Sequence, residues 1–263
     1  MSEPIRVIVA GAGGRLGREV VGGVLGASPE MALVGAVDPV CAGRTVSEAL
    51  GADSPAVITS DLSETLSRTA ADAVVVVTVP AAGMESIRTS IKAGAVPVVG
   101  TTGITQQDIE EIRQMAAQHG VGAIIAPNFS IGAVLMMRMA SEAVKYFPNV
   151  EIIELHHDKK LDAPSGTAIK TAALIAASRP EGAGSKQEET VSARGGDFHG
   201  VRIHSVRLPG LVAHQEVIFG GLGQTLTIRH DSYDRKSFMP GVLLAIRKAR
   251  GLADVIHGLE NVI

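Results

Sequence analysis

The sequence has little of what secreted or nucleic-acid-binding proteins need. Only one cysteine, Cys41, occurs among 263 residues, so an internal disulfide cannot form, as expected for a reducing compartment. Aromatic residues make up 3% of the chain, so aliphatic side chains and methionine must build the core. The formal net charge of -3 argues against a nucleic acid or an anionic membrane as the main partner.

No segment is suited to membrane insertion or export. The apolar runs fall short of the about 20 residues that a helix needs to cross a bilayer. A strand-like segment starts at Ile5, which leaves no room for a signal or transit peptide. The histidines and the cysteine show no spacing that is typical of a metal site. We therefore expect a cytoplasmic protein that binds no metal, no nucleic acid and no membrane.

The order of the predicted elements indicates an α/β protein with two domains. Residues 1–127 alternate apolar strands with helical segments, which is typical of a Rossmann-type parallel sheet in a dinucleotide-binding domain. Residues 239–263 are expected to return to it. Residues 128–238 predict a smaller α+β domain with an open mixed sheet, suited to substrate binding and oligomerisation. Strands are expected at 5–10, 31–37, 73–79, 96–99, 122–126, 150–155, 201–208, 216–219 and 226–229, helices at 84–93, 106–118, 131–147 and 240–250, and a polar loop at 179–189.

A glycine-rich turn follows the first predicted strand. Ile5–Ala10 runs directly into Gly11-Ala12-Gly13-Gly14-Arg15-Leu16-Gly17. A strict G-x-G-x-x-G motif is not met, because its third glycine would fall on Leu16, but the spacing G-x-x-G-x-x-G fits. Such glycines permit a tight turn and a close approach of the backbone to a pyrophosphate at the start of a helix. The order of strand, glycine turn, helix, strand and acidic residue, here Asp38, is typical of dinucleotide binding. The alternative is that the glycine turn is a plain strand-to-helix loop.

Asp38 also bears on which nicotinamide cofactor is bound. A carboxylate there accepts hydrogen bonds from the adenosine ribose hydroxyls, which favours NADH over NADPH. Arg15 and Arg44 are the nearest candidates to neutralise a 2′-phosphate, so use of both cofactors stays open. Three further polar strand ends should meet at the same edge of the sheet. They are Thr78, Gly100-Thr101-Thr102 and Ala126-Pro127-Asn128-Phe129.

The second domain carries the segment with the most chemistry, Glu154–Ala168, which reads ELHHDKKLDAPSGTA. Its paired histidines can donate or accept a proton near neutral pH, and its lysines supply fixed positive charge. The start of a helix at Ser165-Gly166-Thr167 favours a carboxylate or phosphate. The segment therefore predicts a site that binds a small, multiply charged anion and moves a proton on it. A solvated charged turn is the alternative.

Several motifs along the whole chain resemble those of the 4-hydroxy-tetrahydrodipicolinate reductase (dihydrodipicolinate reductase) family. Besides ELHHDKKLDAPSGTA, they are VIVAGAGGRLG near the start, VVGTTG at 98–103, APNFSIGAV at 126–134, and LPGLVAHQEVIFG and GQTLTIRHDSYDRKSF between Leu208 and Phe238. The family comprises nicotinamide-dependent enzymes of lysine and diaminopimelate synthesis. The resemblance implies reduction of a small cyclic dicarboxylate with NADH or NADPH, a two-domain fold, and a homotetramer formed through the sheet of the second domain.

The resemblance also implies roles for individual residues. His156 would donate a proton to the substrate, and Lys160 would stabilise the charge that develops during hydride transfer to C4 of the dehydrated ring. His157 and the backbone of Gly166 and Thr167 would hold the two substrate carboxylates. The residues that would line the cofactor are Gly11, Ala12, Gly13, Gly14, Arg15, Leu16, Asp38, Gly100, Thr101, Thr102, Ala126, Pro127, Asn128 and Phe129.

The chain departs from the family pattern at one strand end. Members commonly have Asp-Phe-Thr where this chain has Val76-Val77-Thr78, a change that bears on the nicotinamide pocket and not on proton transfer. Two other functions are compatible with the predicted fold. A Rossmann-type dehydrogenase for another anionic substrate would share the first half but would not need HHDKKLDAPSGT. A nicotinamide-binding sensor without turnover is suggested only by Val76-Val77.

Overall fold

The computed structural model describes residues 3–181 and 193–263. They divide into two compact units, one made of the residues up to Ser130 together with Phe238–Ile263, and the other of Ile131–Ser237. Residues 182–189 of the expected polar loop lie outside the described part of the chain. Each described helix is too short or too polar to span a lipid bilayer.

Strands and helices alternate in the first half of the chain, whereas four strands follow one another in the second half. In chain order, the strands are β1 (Ile5–Ala10), β2 (Met31–Val37), β3 (Ile58–Thr59), β4 (Ala73–Val76), β5 (Val96–Val99), β6 (Ala123–Ile125), β7 (Asn149–His156), β8 (Gly196–Phe198), β9 (Val201–Arg207), β10 (Ala213–Gly221), β11 (Gln224–Ser232) and β12 (Val255–His257). The helices are α1 (Arg15–Gly26), α2 (Val46–Leu50), α3 (Leu62–Arg68), α4 (Pro80–Lys92), α5 (Gln106–His119), α6 (Ile131–Ala143), α7 (Gly166–Ser178) and α8 (Met239–Ala249).

Seven parallel strands form the sheet of the first unit, in the order β12-β6-β5-β4-β1-β2-β3. All four residues of β4, Ala73–Val76, are buried, as expected for a central strand of a sheet that is covered on both faces. The C-terminal strand β12 extends this sheet beside β6, where Val255 is paired with Ala123. The expected Rossmann-type parallel sheet is confirmed.

The fourth strand of this sheet is shorter than its apolar sequence suggests. A strand was expected over 73–79, but β4 ends at Val76, because Pro80 opens helix α4 and Val79 is the N-cap residue. Proline fits the first turn of a helix, where its missing N–H would have no partner in any case. Thr78 therefore lies in the turn between β4 and α4.

The second unit contains a mixed sheet of five strands in the order β11-β10-β7-β9-β8. Strand β7 is antiparallel to β10 and parallel to β9, which confirms the expected mixed sheet. Along β7, the side chains of Val150, Ile152 and Glu154 are buried, and the residues between them are partly exposed. A helix was expected over 131–147, but α6 ends at Ala143. Hydrogen-bonded turns continue to Phe147, where the following proline disfavours a helical conformation.

Candidate active site

The glycine-rich turn between β1 and α1 brings backbone atoms close together. Gly11 has a φ of +87°, a conformation that favours glycine. A Cβ atom on Gly11 would lie 2.7 Å from the carbonyl oxygen of Val77, and one on Gly17 would overlap the carbonyl oxygen of Gly11. Helix α1 begins at Arg15, after Gly14, with no acidic residue in its first turn. The positive end of the helix dipole therefore faces the glycine turn and favours an anion there.

Asp38 follows the last residue of β2 and contacts this turn. Its Oδ2 accepts a hydrogen bond of 2.9 Å from the backbone N–H of Gly13, and its Oδ1 accepts one of 3.0 Å from the N–H of Val40. Asp38 is only 9% exposed, so its position is well defined. Arg18, which sequence reasoning did not select, donates to the carbonyl oxygens of Gly13 at 3.0 Å and Ala49 at 2.9 Å, and so holds the turn from its other side.

The two arginines considered for a 2′-phosphate have different surroundings. Arg15 is exposed at the start of α1. Arg44 donates from Nη2 to the carbonyl oxygen of Glu48 at 2.6 Å. Of the remaining turn residues, Ala12 is buried and Leu16 is half-buried.

The strand ends after β4, β5 and β6 contact one another. Thr101 is buried, and its hydroxyl donates to the carbonyl oxygen of Thr78 at 3.2 Å. A Cβ atom on Gly100 would lie 2.8 Å from the ring of Phe129 and 3.2 Å from a methyl group of Val77. Within the described residues, the buried hydroxyl of Thr78 has no hydrogen-bond partner. An unpartnered buried hydroxyl at this edge of the sheet can hydrogen-bond a ligand.

The remaining residues expected at this edge differ in exposure. Thr102 and Pro127 are exposed, and Ala126 is buried. Asn128 is half-buried, and its Oδ1 accepts a hydrogen bond of 2.8 Å from the backbone N–H of Ser130. Asn128 thus shapes the turn that leads out of β6.

In the second unit, the loop between β7 and α7 carries the paired histidines and lysines. His156 is the last residue of β7, and His157 is exposed directly after it. The backbone N–H of Lys160 donates to the carbonyl oxygen of His157 at 3.2 Å, which closes a turn. The Nζ of Lys160 lies 2.7 Å from both carboxylate oxygens of Asp162. His156, His157 and Lys160 are therefore held on one short turn.

The start of α7 lies directly after this loop. Ser165 is the N-cap residue, and its hydroxyl oxygen accepts the N–H of Ala168 at 3.2 Å. Gly166 and Thr167 are the first two helical residues, so their backbone N–H groups belong to the positive end of the helix. A Cβ atom on Gly166 would meet no atom within 4 Å, so the space beside this residue is open.

Behind His156 lies a group that the sequence analysis did not select, the carboxylate of Glu154. Glu154 is fully buried, and its Oε2 lies 2.5 Å from Nδ1 of His156. Arg207 donates to both oxygens, from Nη1 to Oε2 at 2.8 Å and from Nη2 to Oε1 at 2.7 Å. The backbone N–H of Ser165 donates to Oε1 at 3.2 Å. The signal for Glu154 was available, because strand alternation places it on the buried side together with Ile152.

The surroundings shift the pKa values of both groups. Burial disfavours the ionised form of Glu154, but hydrogen bonds from Arg207, Ser205 and His156 outweigh burial, so its pKa lies below the ordinary value. Burial lowers the pKa of His156, and the positive charges of Lys160 and Arg207 lower it further, whereas the hydrogen bond and charge of Glu154 oppose the shift. The pKa of His156 is lowered overall, so its imidazolium is a stronger acid than that of an exposed histidine.

Two family models together match almost the whole chain. The model described as dihydrodipicolinate reductase, N-terminus, matches residues 5–129, and the one described as dihydrodipicolinate reductase, C-terminus, matches residues 132–263. The 4-hydroxy-tetrahydrodipicolinate reductase of Desulfitobacterium hafniense (strain DSM 10664 / DCB-2) is 53% identical over 262 residues, which cover 98% of each chain. That of Bacillus pumilus (strain SAFR-032) is 48% identical over 265 residues, covering 100% of this chain and 99% of the relative.

Solved structures agree with these matches. Dipicolinate-bound dihydrodipicolinate reductase from Paenisporosarcina sp. TG-14 has a TM-score of 0.88 at 43% identity, covering 99% of this chain and 100% of that one. An amine dehydrogenase from Mycobacterium smegmatis has a TM-score of 0.66 at 13% identity, covering 94% of this chain and 93% of that one. This second likeness shows a shared fold alone.

Proposed function

The chain belongs to the dihydrodipicolinate reductase family of oxidoreductases, and we propose that it reduces 4-hydroxy-tetrahydrodipicolinate to tetrahydrodipicolinate with a nicotinamide cofactor. The observation that carries the proposal is the end of β7 and the turn that follows it, where His156 and Lys160 lie ahead of helix α7. The two alternatives are not favoured. Relatives 53% and 48% identical over the whole chain share one activity name, whereas the amine dehydrogenase shares only the fold at 13% identity.

The residues of the first unit fit a nicotinamide dinucleotide. The turn from Gly11 to Leu16 leaves backbone N–H groups at the start of α1 for the pyrophosphate, and Asp38 would accept the ribose hydroxyls. The unpartnered hydroxyl of Thr78 lies where Gly100–Thr102 and Ala126–Phe129 would hold the nicotinamide end. When bound, the dihydronicotinamide supplies a hydride to C4 of the substrate ring. A negative charge at Asp38 supports NADH as the preferred cofactor.

The start of α7 would bind the substrate carboxylates. Backbone N–H groups of Gly166 and Thr167 carry the partial positive charge of the helix end, and the space beside Gly166 is open. His157 is exposed one residue beyond β7 and would add a hydrogen bond from its ring. Together these groups would bind and orient the two carboxylates of a small ring. This is why we propose a small cyclic dicarboxylate as the substrate.

His156 and Lys160 would carry out the proton chemistry. Dehydration of the substrate leaves an unsaturated ring, to which a hydride adds at C4 while the neighbouring ring carbon takes a proton. His156 would supply this proton from its imidazolium, which the lowered pKa makes a stronger acid while reducing the fraction that is protonated at neutral pH. The ammonium group of Lys160 would stabilise negative charge that moves toward the ring nitrogen and the carboxylates.

Assembly through the second unit is a further part of the proposal. Residues 151, 153 and 155 on one face of β7 are partly exposed, whereas the opposite face is buried. A homotetramer that covers this partly exposed face would account for the pattern. Light scattering after size-exclusion chromatography measures the mass, and a monomer at micromolar concentration would contradict this part of the proposal.

The activity is tested by following the loss of dihydronicotinamide absorbance with substrate that is generated enzymatically in the cuvette. We expect turnover with this substrate and competitive inhibition by dipicolinate, the planar compound named as bound to the Paenisporosarcina relative. Turnover only with a different anionic substrate would support the dehydrogenase alternative. Tight cofactor binding without any turnover would support the sensor.

A further inference from the structure

The ring of His156 lies against a buried carboxylate that the proposed function does not itself require. Nδ1 of His156 lies 2.5 Å from Oε2 of Glu154. We propose that Glu154, held by Arg207, is a positioning residue that binds the Nδ1–H of His156 and leaves Nε2 as the atom that gives a proton to the substrate. This inference rests on the proposed reduction and deepens it by naming the proton-donating atom.

The donors around Glu154 require an ionised carboxylate. Its two oxygens together accept two hydrogen bonds from Arg207 and one from the backbone N–H of Ser165, and Oε2 also faces Nδ1 of His156. Arg207 and the N–H of Ser165 can only donate, and between them they bind both oxygens, so they stabilise the ionised form of the carboxylate. An ionised carboxylate can only accept, so the ring nitrogen that faces it must carry a hydrogen.

The fold ensures that Glu154 and Arg207 meet. His156 on β7 is directly opposite Arg207 on β9, and the carbonyl oxygen of His156 accepts the N–H of Leu208 at 3.1 Å. Nη2 of Arg207 also donates to the carbonyl oxygen of Asp162 at 2.7 Å. Arg207 therefore links the sheet to the loop that carries Lys160, and so connects this loop to Glu154 and His156.

Glu154 and Arg207 have opposite effects on the pKa of His156. The charged groups that face His156 are Glu154 on its own strand, Arg207 on the neighbouring strand and Lys160 on the loop. The carboxylate stabilises the imidazolium, and the two cations oppose it. The ring can therefore lose its proton from Nε2 to a substrate carbon and remain as the neutral tautomer that keeps Nδ1–H on Glu154. Solvent returns the proton to Nε2 before the next cycle.

The test is Glu154→Gln, which keeps the shape of the side chain but removes its charge. We expect kcat to fall on the order of a hundredfold, with KM and cofactor affinity changing by less than about threefold. Because the imidazolium loses its carboxylate, the loss of kcat/KM with rising pH should begin at lower pH than in the wild type. This decrease of kcat/KM at high pH is the alkaline limb of the pH profile. A fall in kcat without a shift of the alkaline limb would overturn the proposal, because a purely structural defect lowers the rate equally at each pH.

The matched control is Glu151→Gln on the same strand. Glu151 faces the other side of the sheet, where its Oε2 lies 2.8 Å from Nε2 of His204. The control removes the same charge from β7 without touching His156, so we expect kcat and the pH limb to stay within about twofold of the wild type. An equal shift of the limb in both variants would show a general charge effect and would overturn the proposal.

A measurement on the unmutated protein keeps the proposal testable if Glu154→Gln does not fold. Nitrogen-15 NMR of histidine-labelled protein reports which ring nitrogen is protonated. We expect the neutral ring of His156 to carry its hydrogen on Nδ1, and the opposite tautomer would overturn the proposal. No substrate is needed, so this result is independent of whether the reductase activity itself is found.

Discussion

The carboxylate of Asp38 accepts a hydrogen bond of 2.9 Å from the backbone N–H of Gly13. This bond joins the end of β2 to the glycine turn, so a negative charge is held where the adenosine ribose of a dinucleotide would lie. We expect NADH to bind more tightly than NADPH, because a 2′-phosphate would be repelled by this charge. Isothermal titration calorimetry with each cofactor measures the ratio of the two dissociation constants.

The variant Asp38→Asn separates charge from shape. The amide oxygen can still accept one of the two backbone N–H groups that the carboxylate binds, while the repulsion is removed. We expect the preference for NADH to decrease by roughly tenfold, mainly through tighter binding of NADPH. An unchanged ratio, or tighter binding of NADPH to the wild type, would contradict the role that we assign to Asp38.

The close contact between Gly17 and Gly11 leads to a second prediction. A Cβ atom on Gly17 would overlap the carbonyl oxygen of Gly11, and this backbone atom cannot move without opening the turn. We expect Gly17→Ala to lower the free energy of unfolding by about 2 kcal/mol or more and to weaken cofactor binding. Urea unfolding and calorimetry measure the two effects.

Gly22 offers a matched control on the same helix. It is exposed, and a Cβ atom there would meet no atom within 4 Å. Alanine is a better helix former than glycine, so we expect Gly22→Ala to raise the free energy of unfolding by up to about 1 kcal/mol. Equal destabilisation by both substitutions would show that the contact with Gly11 is not the cause.

Lys160 and Lys159 are neighbours with different expected roles. Nζ of Lys160 is held 2.7 Å from both oxygens of Asp162, on the turn that also carries His156, whereas Lys159 is exposed. We expect Lys160→Ala to lower kcat by about two to three orders of magnitude, roughly the loss that follows removal of one electrostatic contact to a transition state. Cofactor affinity should not change. Stopped-flow turnover and calorimetry measure both quantities, and near-normal turnover would refute the role.

Lys159→Ala is the control for this prediction. The substitution removes the same charge one residue away but leaves the ion pair between Lys160 and Asp162 in place. We expect kcat to change by less than about threefold. A comparable loss in both variants would indicate that the net charge of the loop matters, and not the position of one ammonium group.

Sequence patterns were most informative where the signal is local. The strand Ile5–Ala10, the glycine turn and Asp38 follow one another within one βαβ unit, and the expected strand Met31–Val37 matches β2 in both bounds. Apolar runs alone were less reliable at strand ends, since the run after Ala73 continues to Val79 although the strand does not.

Strand alternation could have indicated that Glu154 is buried, but its role depends on a partner that is distant in sequence. Glu154 and Arg207 are 53 positions apart and meet only through the register of β7 and β9, which no local pattern determines. The short elements α2, β3, α3, β8 and β12 were also not expected, because two to seven residues are too few to show a period. For α2, a capping box from Thr45 and Glu48 was the available signal.

The last prediction concerns the stability of the protein as a function of pH. His230 on β11 packs closely against the start of α6, where a Cβ atom on Gly132 would overlap its ring. Burial lowers the pKa of His230, with His214 adding to the shift and Asp231 opposing it. A depressed pKa means that the unfolded chain takes up this proton at a higher pH than the folded protein. The free energy of unfolding should therefore decrease as the pH falls through the ordinary histidine value of about 6.5.

His156 and His204 have pKa values shifted in the same direction, chiefly by burial, and contribute to the same slope. Urea unfolding should be measured at several pH values between about 7.5 and 5.5. This range lies above the pKa values of ordinary carboxylates, so the pH dependence of the free energy of unfolding reports mainly on the histidines. We expect His230→Gln to be less stable at the upper end of this range, because it loses ring packing, yet to show a smaller slope. His119→Gln removes an exposed imidazole and corrects for the loss of one histidine. A slope unchanged by His230→Gln would mean that His230 does not pass from neutral to charged on unfolding.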